Sequence, residues 1–343
     1  MIPFDARLRA RGVFVNLEPK EGFSLHAVTV SDAEAVADVI NECTRAEIGL
    51  PWTTPEEVRD QWSGPGYDLP ADALLVDGSG EVAGYLQLWC DIDPYDELVS
   101  LVYVRPRYWS RSLSAFLIRL GEERARERIH RAPADLRVTH QVARFAHNEA
   151  AGALFRSLDY TYLQTYWMMQ IELGDRPPTP PEPESIVIRT FDPERDAPRT
   201  HAALAEAFLD HRGHDFPSYE QWRHHHIDGE ATQFDPQLWF VAADGEEVVG
   251  AAVCRPTSAR DRECAEVDIL GVRRGWRRRG VGLALLGAAF TEFHRRGIPR
   301  AELGVDSENP TGATRLYERA GMHVAHAWET WEKELRPGTS LAI

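Results

Sequence analysis

The chain has 343 residues, 43% of them hydrophobic and 27% charged, with a formal net charge of −16. That length favours two domains, each able to bury its own core. The acidic balance argues against nucleic-acid phosphate binding, and no apolar run approaches the roughly 20 residues of a membrane span. The first residues lack the apolar centre of a signal peptide. Cys43, Cys90, Cys254 and Cys264 form no C-x-x-C pair and read as buried free thiols. The expected setting is cytoplasmic, with no nucleic-acid and no membrane partner.

The first half opens with a strand-like run, "FSLHAVTV", followed by the alanine-rich helix "SDAEAVADVINEC" and a helix start at "TPEEVRDQW". Apolar runs around "DGSG" predict a hairpin, and "ELVSLVYV" a further strand. A long helix, a strand, a second helix and a closing strand complete this half. The segment "LGDRPPTPPEPES", residues 173–185, carries five prolines and reads as a stiff linker. The same plan then returns: strand "SIVIRTF", helix "DPERDAPRTHAALAEAFLDH", helix start "PSYEQWRHHH", a hairpin at "DGEE", strand "CAEVDILGV", helix, strand, helix, strand. This is an internal repeat of about 160 residues. The expected architecture is α/β (α+β): domains over 1–172 and 186–343, each a mixed central sheet flanked by helices.

Three consecutive arginines in an acidic chain mark "RRGWRRRGVG", between the strand ending at Val272 and the helix "LALLGAAFTEFHRRG". The first turn of a helix leaves N–H groups unpaired and carries partial positive charge. Gly280 and Gly282 admit a phosphate close to the backbone, and Arg277, Arg278 and Arg279 add formal charge. Neither G-x-G-x-x-G nor a Walker A sequence is present. Strand alternation places residues 266, 268 and 270 on one face.

Arg277-x-x-Gly280-x-Gly282, followed by "LGVDSENPTGATRLYERAGM" with Asn309 and Tyr317, resembles the acetyl-CoA loop and hallmark segment of the GCN5-related N-acetyltransferase (GNAT) superfamily. The resemblance covers residues 186–335 and implies two tandem GNAT domains. It also implies direct acetyl transfer from acetyl-CoA to the primary amine of a small molecule, with no metal. It assigns Glu266 as general base, with Asp268 in reserve, and Tyr317 as general acid toward the departing thiolate. Backbone around Leu270, Gly271 and Val272 would meet pantetheine, Arg277 to Leu283 (including Val281) the pyrophosphate, and Asn309 pantetheine or the loop itself.

The first half keeps this pattern only in part. In "VRPRYWSRSLSAFLIRL", Trp109 stands at the Arg277 position and Ser112 and Ser114 at the two glycines. In "HNEAAGALFRSLDY", Asn148 is kept and Phe155 takes the tyrosine position. The first half therefore reads as a degenerate copy. Acceptor candidates are Asp210, His211, His214 and Asp215, together with Asp268. His224, His225 and His226 read as surface residues, because three adjacent helical positions point three ways. The tandem layout resembles that of mycothiol synthases and other small-amine acetyltransferases. Acetylation of a protein N-terminus or lysine, and a non-catalytic acyl-CoA regulator, are the alternatives; monomer and homodimer stay open.

Overall fold

The computed structural model describes residues 22–63, 67–90, 94–109, 111–175, 177, 180–181, 183–209, 216–229, 233–258, 261–309 and 311–340. The first half contains β1 (Phe23–Ala27), α1 (Ala33–Ile48), α2 (Pro55–Trp62), α3 (Leu69–Asp72), β2 (Ala73–Gly78), β3 (Glu81–Trp89), β4 (Glu97–Val104), α4 (Arg111–Arg128), β5 (Val138–Phe145), α5 (Glu149–Ser157) and β6 (Thr161–Glu172). The second contains β7 (Val187–Thr190), α6 (Pro193–Phe208), α7 (Tyr219–Arg223), β8 (Phe240–Asp244), β9 (Glu247–Arg255), β10 (Cys264–Val272), α8 (Val281–Arg295), β11 (Arg300–Asp306), α9 (Ala313–Arg319) and β12 (His323–Arg336).

Two compact units form. One comprises described residues up to Gln164 together with those from Trp328; the other spans Thr165–Ala327. Their strand orders are β1-β2-β3-β4-β5-β12 and β6-β11-β10-β9-β8-β7. Each unit is thus closed by the last strand of the other half of the sequence. Residues Tyr166–Glu172 of β6 pair antiparallel with β11, and Trp328–Arg336 of β12 with β5. Trp328 and Trp331 accordingly pack in the first unit, against Trp52 and Phe155.

Local chemistry explains the elements. Ser79 and Gly80, and Gly245 in the second hairpin, take the positive φ that tight turns require. Thr54 and Ser218 form capping boxes with Glu57 and Gln221. Helix α8 buries Leu285, Leu286, Phe290 and Phe293 and ends at Gly297, whose φ of 76° suits the position beyond a helix C-terminus. All four cysteines are free and buried. Among the described residues no helix is long and apolar enough to cross a membrane.

Both units are mixed sheets with one short parallel junction. In the first, β4 pairs β5 only over Glu97–Ser100; in the second, β10 pairs β11 only over Cys264–Glu266. Beyond Glu266↔Glu302 the two strands continue without ladder pairing, to Val272 and Asp306. A cleft lies at the carboxyl end of β10.

The first unit seals a polar network in its core. The His140 ring lies 2.5 Å from the Tyr160 hydroxyl and 2.7 Å from that of Ser100, and the residue is fully buried. Burial, then the charges of Lys333 and Arg126, lower the His140 pKa from 6.5 to about 3. The unfolded chain therefore binds a proton below pH 6.5 that the folded one refuses, and stability falls from pH 6.5 towards 3. The loss from this residue should reach about 2 kcal/mol by pH 5. Calorimetric melting at pH 7 and pH 5 should show a smaller acid-induced drop for His140→Gln than for the wild type. Equal drops would remove His140 from the acid response.

Candidate active site

The turn after β10 is built to present backbone N–H groups. Val272 ends the strand and Arg274–Trp276 form a short 3-10 turn, whose Trp276 indole donates to Asp244 at 3.0 Å. Arg278 is held at φ 61°, uncommon for a residue with a Cβ, and Gly280 follows at φ 83° as the N-cap of α8. The first intrahelical bond is Ala284 N–H to Gly280 O at 3.0 Å. The N–H groups of Val281, Gly282 and Leu283 precede it and have no acceptor within the helix.

The two glycines serve different ends. A Cβ on Gly280 would meet nothing within 4 Å, so its requirement is conformational. A Cβ on Gly282 would come within 3.0 Å of Leu316 Cδ2, so its requirement is the close approach of α9. Gly271 is also a packing glycine: a Cβ there would come within 2.7 Å of Leu204 on α6.

A cleft of about 370 Å³ lies over this turn. It brings together Leu270, Gly271, Val272, Arg277, Arg278, Gly280, Val281, Gly282, Leu283 and Tyr317. Arg279, Asn309 and Glu266 do not line it. Arg277 differs from the sequence expectation of a phosphate-facing cation. Its Nε donates to Val272 O at 3.0 Å and its Nη2 to Ala207 O at 2.8 Å, so it ties the turn to β10 and to the end of α6. Asn309 likewise orders its own loop, its Oδ1 accepting from Thr311 N at 2.9 Å, while Gly312 occupies the N-cap of α9.

Tyr317 is buried on α9, and its hydroxyl makes no hydrogen bond among the described residues. Burial pushes its pKa up to about 12. It is a protonated donor across the physiological range.

Strand β10 carries the other groups, with a correction to their facing. Val267 pairs with Cys254 and Ile269 with Val253, leaving Asp268 as the extra residue of a β-bulge. Alternation slips there. Glu266 registers with Arg255, but Leu270 registers with Ala252, on the opposite face. Asp268 is occupied: Arg255 donates to its Oδ2 at 2.9 Å and His226 Nδ1 stands 3.2 Å from the same oxygen. Burial opposes ionisation of Asp268, yet His226 and Arg255 outweigh it and hold the carboxyl below its usual range. The structure therefore corrects the view of His226 as a surface residue. It is largely buried, with its ring 5.8 Å from Trp222, whereas His224 and His225 are exposed. Only the placing of the turn His224–Asp228, which follows α7, beside β10 could reveal this pairing. Asp210, His211, His214 and Asp215 lie outside the described residues. Among the described residues no group of three or more His, Cys, Asp or Glu is arranged to hold a metal ion.

The first unit reproduces the frame of this site. Trp109 Nε1 donates to Val104 O at 2.6 Å, as Arg277 Nε does to Val272 O. Arg105 N and Arg273 N bond Ala83 O and Val249 O, each at 2.9 Å. Tyr160 N bonds Phe155 O at 3.1 Å as Met322 N bonds Tyr317 O at 3.0 Å, which places Phe155 opposite Tyr317.

Residues 201–322 match the model of the acetyltransferase (GNAT) family. A mycothiol acetyltransferase of Salinispora tropica is 32% identical, the match covering 87% of this chain and 91% of that protein. The crystal structure of a GCN5-related N-acetyltransferase from Sphaerobacter thermophilus is 36% identical, with a TM-score of 0.80 over 94% of this chain and 99% of that one. The chain belongs to the GNAT family. A tandem GNAT protein from the clavulanic acid biosynthesis pathway shares the fold, at 16% identity and a TM-score of 0.65 over 92% of this chain and all of that one. This GNAT chain is accordingly an acetyltransferase, of a family that uses acyl-CoA, and its layout is that of a tandem GNAT protein.

Proposed function

We propose that the cleft of the second unit transfers acetyl from acetyl-CoA directly to the primary amine of a small molecule. The observation that carries this is the meeting, in one cleft, of an open helix N-terminus at Gly280–Leu283 with the hydroxyl of buried Tyr317, which makes no hydrogen bond among the described residues. The first suits a diphosphate and the second a departing thiolate. The parted strands β10 and β11 leave backbone beyond Glu266 free of each other's ladder, where a pantetheine arm can pair. The bulge at Asp268 loosens the β10 ladder beside the place where a thioester carbonyl would need a donor.

Asp268 is held by Arg255 and His226 below its usual carboxylate range and is a poor proton acceptor near pH 7, so the reading keeps Glu266 as the base acting on the amine through water. The acceptor class is supported by the mycothiol acetyltransferase relatives, whose namesake product is a small molecule. This favours a small amine over a protein N-terminus or lysine side chain, and the acceptor of mycothiol acetyltransferases is the first amine to try. The Ser112, Ser114 and Phe155 replacements support a non-catalytic first domain and a catalytic second one.

Glu266→Gln tests the reaction class. It should lower kcat/KM for acetyl transfer by about a hundred-fold near pH 7, with the deficit shrinking as pH rises and more amine arrives already neutral. A pH–rate profile parallel to wild type would remove Glu266 from proton transfer.

A further inference from the structure

The cleft carries more positive charge than a diphosphate on a helix N-terminus requires. Arg315 and Arg319, one turn apart on α9, line it together with Arg278. Both are exposed, and neither makes an ion pair or hydrogen bond among the described residues. Elsewhere in the same unit arginines find carboxylates: Arg295 and Arg296 hold Glu292, and Arg300 holds Asp261. Two like charges at i and i+4 destabilise a helix slightly, so this pair has a cost without an anion between them.

The first half supplies an internal comparison. Leu158 N bonds Leu154 O as Ala320 N bonds Leu316 O, and Asp159 takes the positive φ that Gly321 takes. That register sets Ala153 opposite Arg315 and Ser157 opposite Arg319. The copy that replaced both loop glycines with serine also lacks both arginines.

We propose that Arg315 and Arg319 bind the 3′-phosphate of coenzyme A, so that the cleft distinguishes CoA thioesters from their 3′-dephospho forms. The inference rests on the acyl-CoA reading of this cleft. The diphosphate is matched by the N–H groups of Val281–Leu283 and by Arg278. A phosphate monoester adds nearly two further negative charges with three acceptor oxygens, which two guanidinium groups on one helix face complement. Neither arginine touches the reacting atoms; their part is to select the donor.

Calorimetric titration of CoA and of 3′-dephospho-CoA into the wild type and the Arg315→Ala/Arg319→Ala double variant tests this. The wild type should bind CoA about thirty-fold more tightly than 3′-dephospho-CoA, and the variant should bind both at the weaker level. Both positions are exposed, so the variant's melting temperature should match wild type. Equal weakening toward both ligands would assign the arginines to the diphosphate and overturn the proposal, as would no weakening toward either. Failure of the wild type to bind either ligand would instead overturn the acyl-CoA reading of the cleft, and this proposal with it.

Discussion

Tyr317→Phe should lower kcat for acetyl transfer by about a hundred-fold while leaving the affinity for acetyl-CoA within about two-fold of wild type. The side chain is buried and loses only its oxygen, and that oxygen makes no hydrogen bond among the described residues, so neither fold nor cleft shape should change. What disappears is the cleft donor that the proposed mechanism assigns to the thioester sulfur. Burial holds the hydroxyl near pKa 12, above the value near 8.5 of an ordinary thiol. In the proposed mechanism it would therefore act by hydrogen-bonding the thiolate as the C–S bond breaks. The same value predicts that no descending limb from Tyr317 appears in the wild-type rate profile below about pH 10. Full turnover in Tyr317→Phe, measured as thiol release, would refute the assignment.

Gly282→Val should abolish measurable acetyl-CoA binding, a loss of about a hundred-fold or more, while lowering stability by only about 1–2 kcal/mol. The added Cβ meets Leu316 at 3.0 Å, and the branches of valine must go into the helix start or into the cleft. Either course displaces the N–H groups that a diphosphate needs. The chain contains a milder form of this change, because Ser114 stands at the same position in the first copy. Titration with acetyl-CoA beside thermal melting separates the two effects. A folded variant that binds normally would show that the first turn of α8 is not where the phosphates sit.

The mixed α/β fold, its repeat and the loop were legible because their signals are local. Hairpin turns, a glycine pair at a helix start and a tyrosine at fixed spacing all lie within a few residues of what they control. Less legible were features set by distant pairing. The bulge at Asp268 exists because β9 offers Cys254 and Val253 to Val267 and Ile269, and alternation along β10 alone put Leu270 on the Glu266 face. Arg277 reads as a free cation until the carbonyls of Val272 and Ala207 close around it. His226 reads as one of three surface histidines until Asp268 and Trp222 enclose it. The exchange of β6 and β12 has no sequence signature, since both strands close equivalent edges and suit either half.

The proposed reaction of this tandem GNAT chain is acetyl transfer from acetyl-CoA to a small-molecule amine. The most direct test is release of free thiol from acetyl-CoA by the full chain, with and without each member of an amine panel. The panel includes the acceptor of mycothiol acetyltransferases, aminoglycosides, amino acids and peptides. Release should depend on a small-molecule amine and yield its N-acetyl derivative. Transfer only to peptides, or no amine-dependent release from any member of the panel, would contradict it.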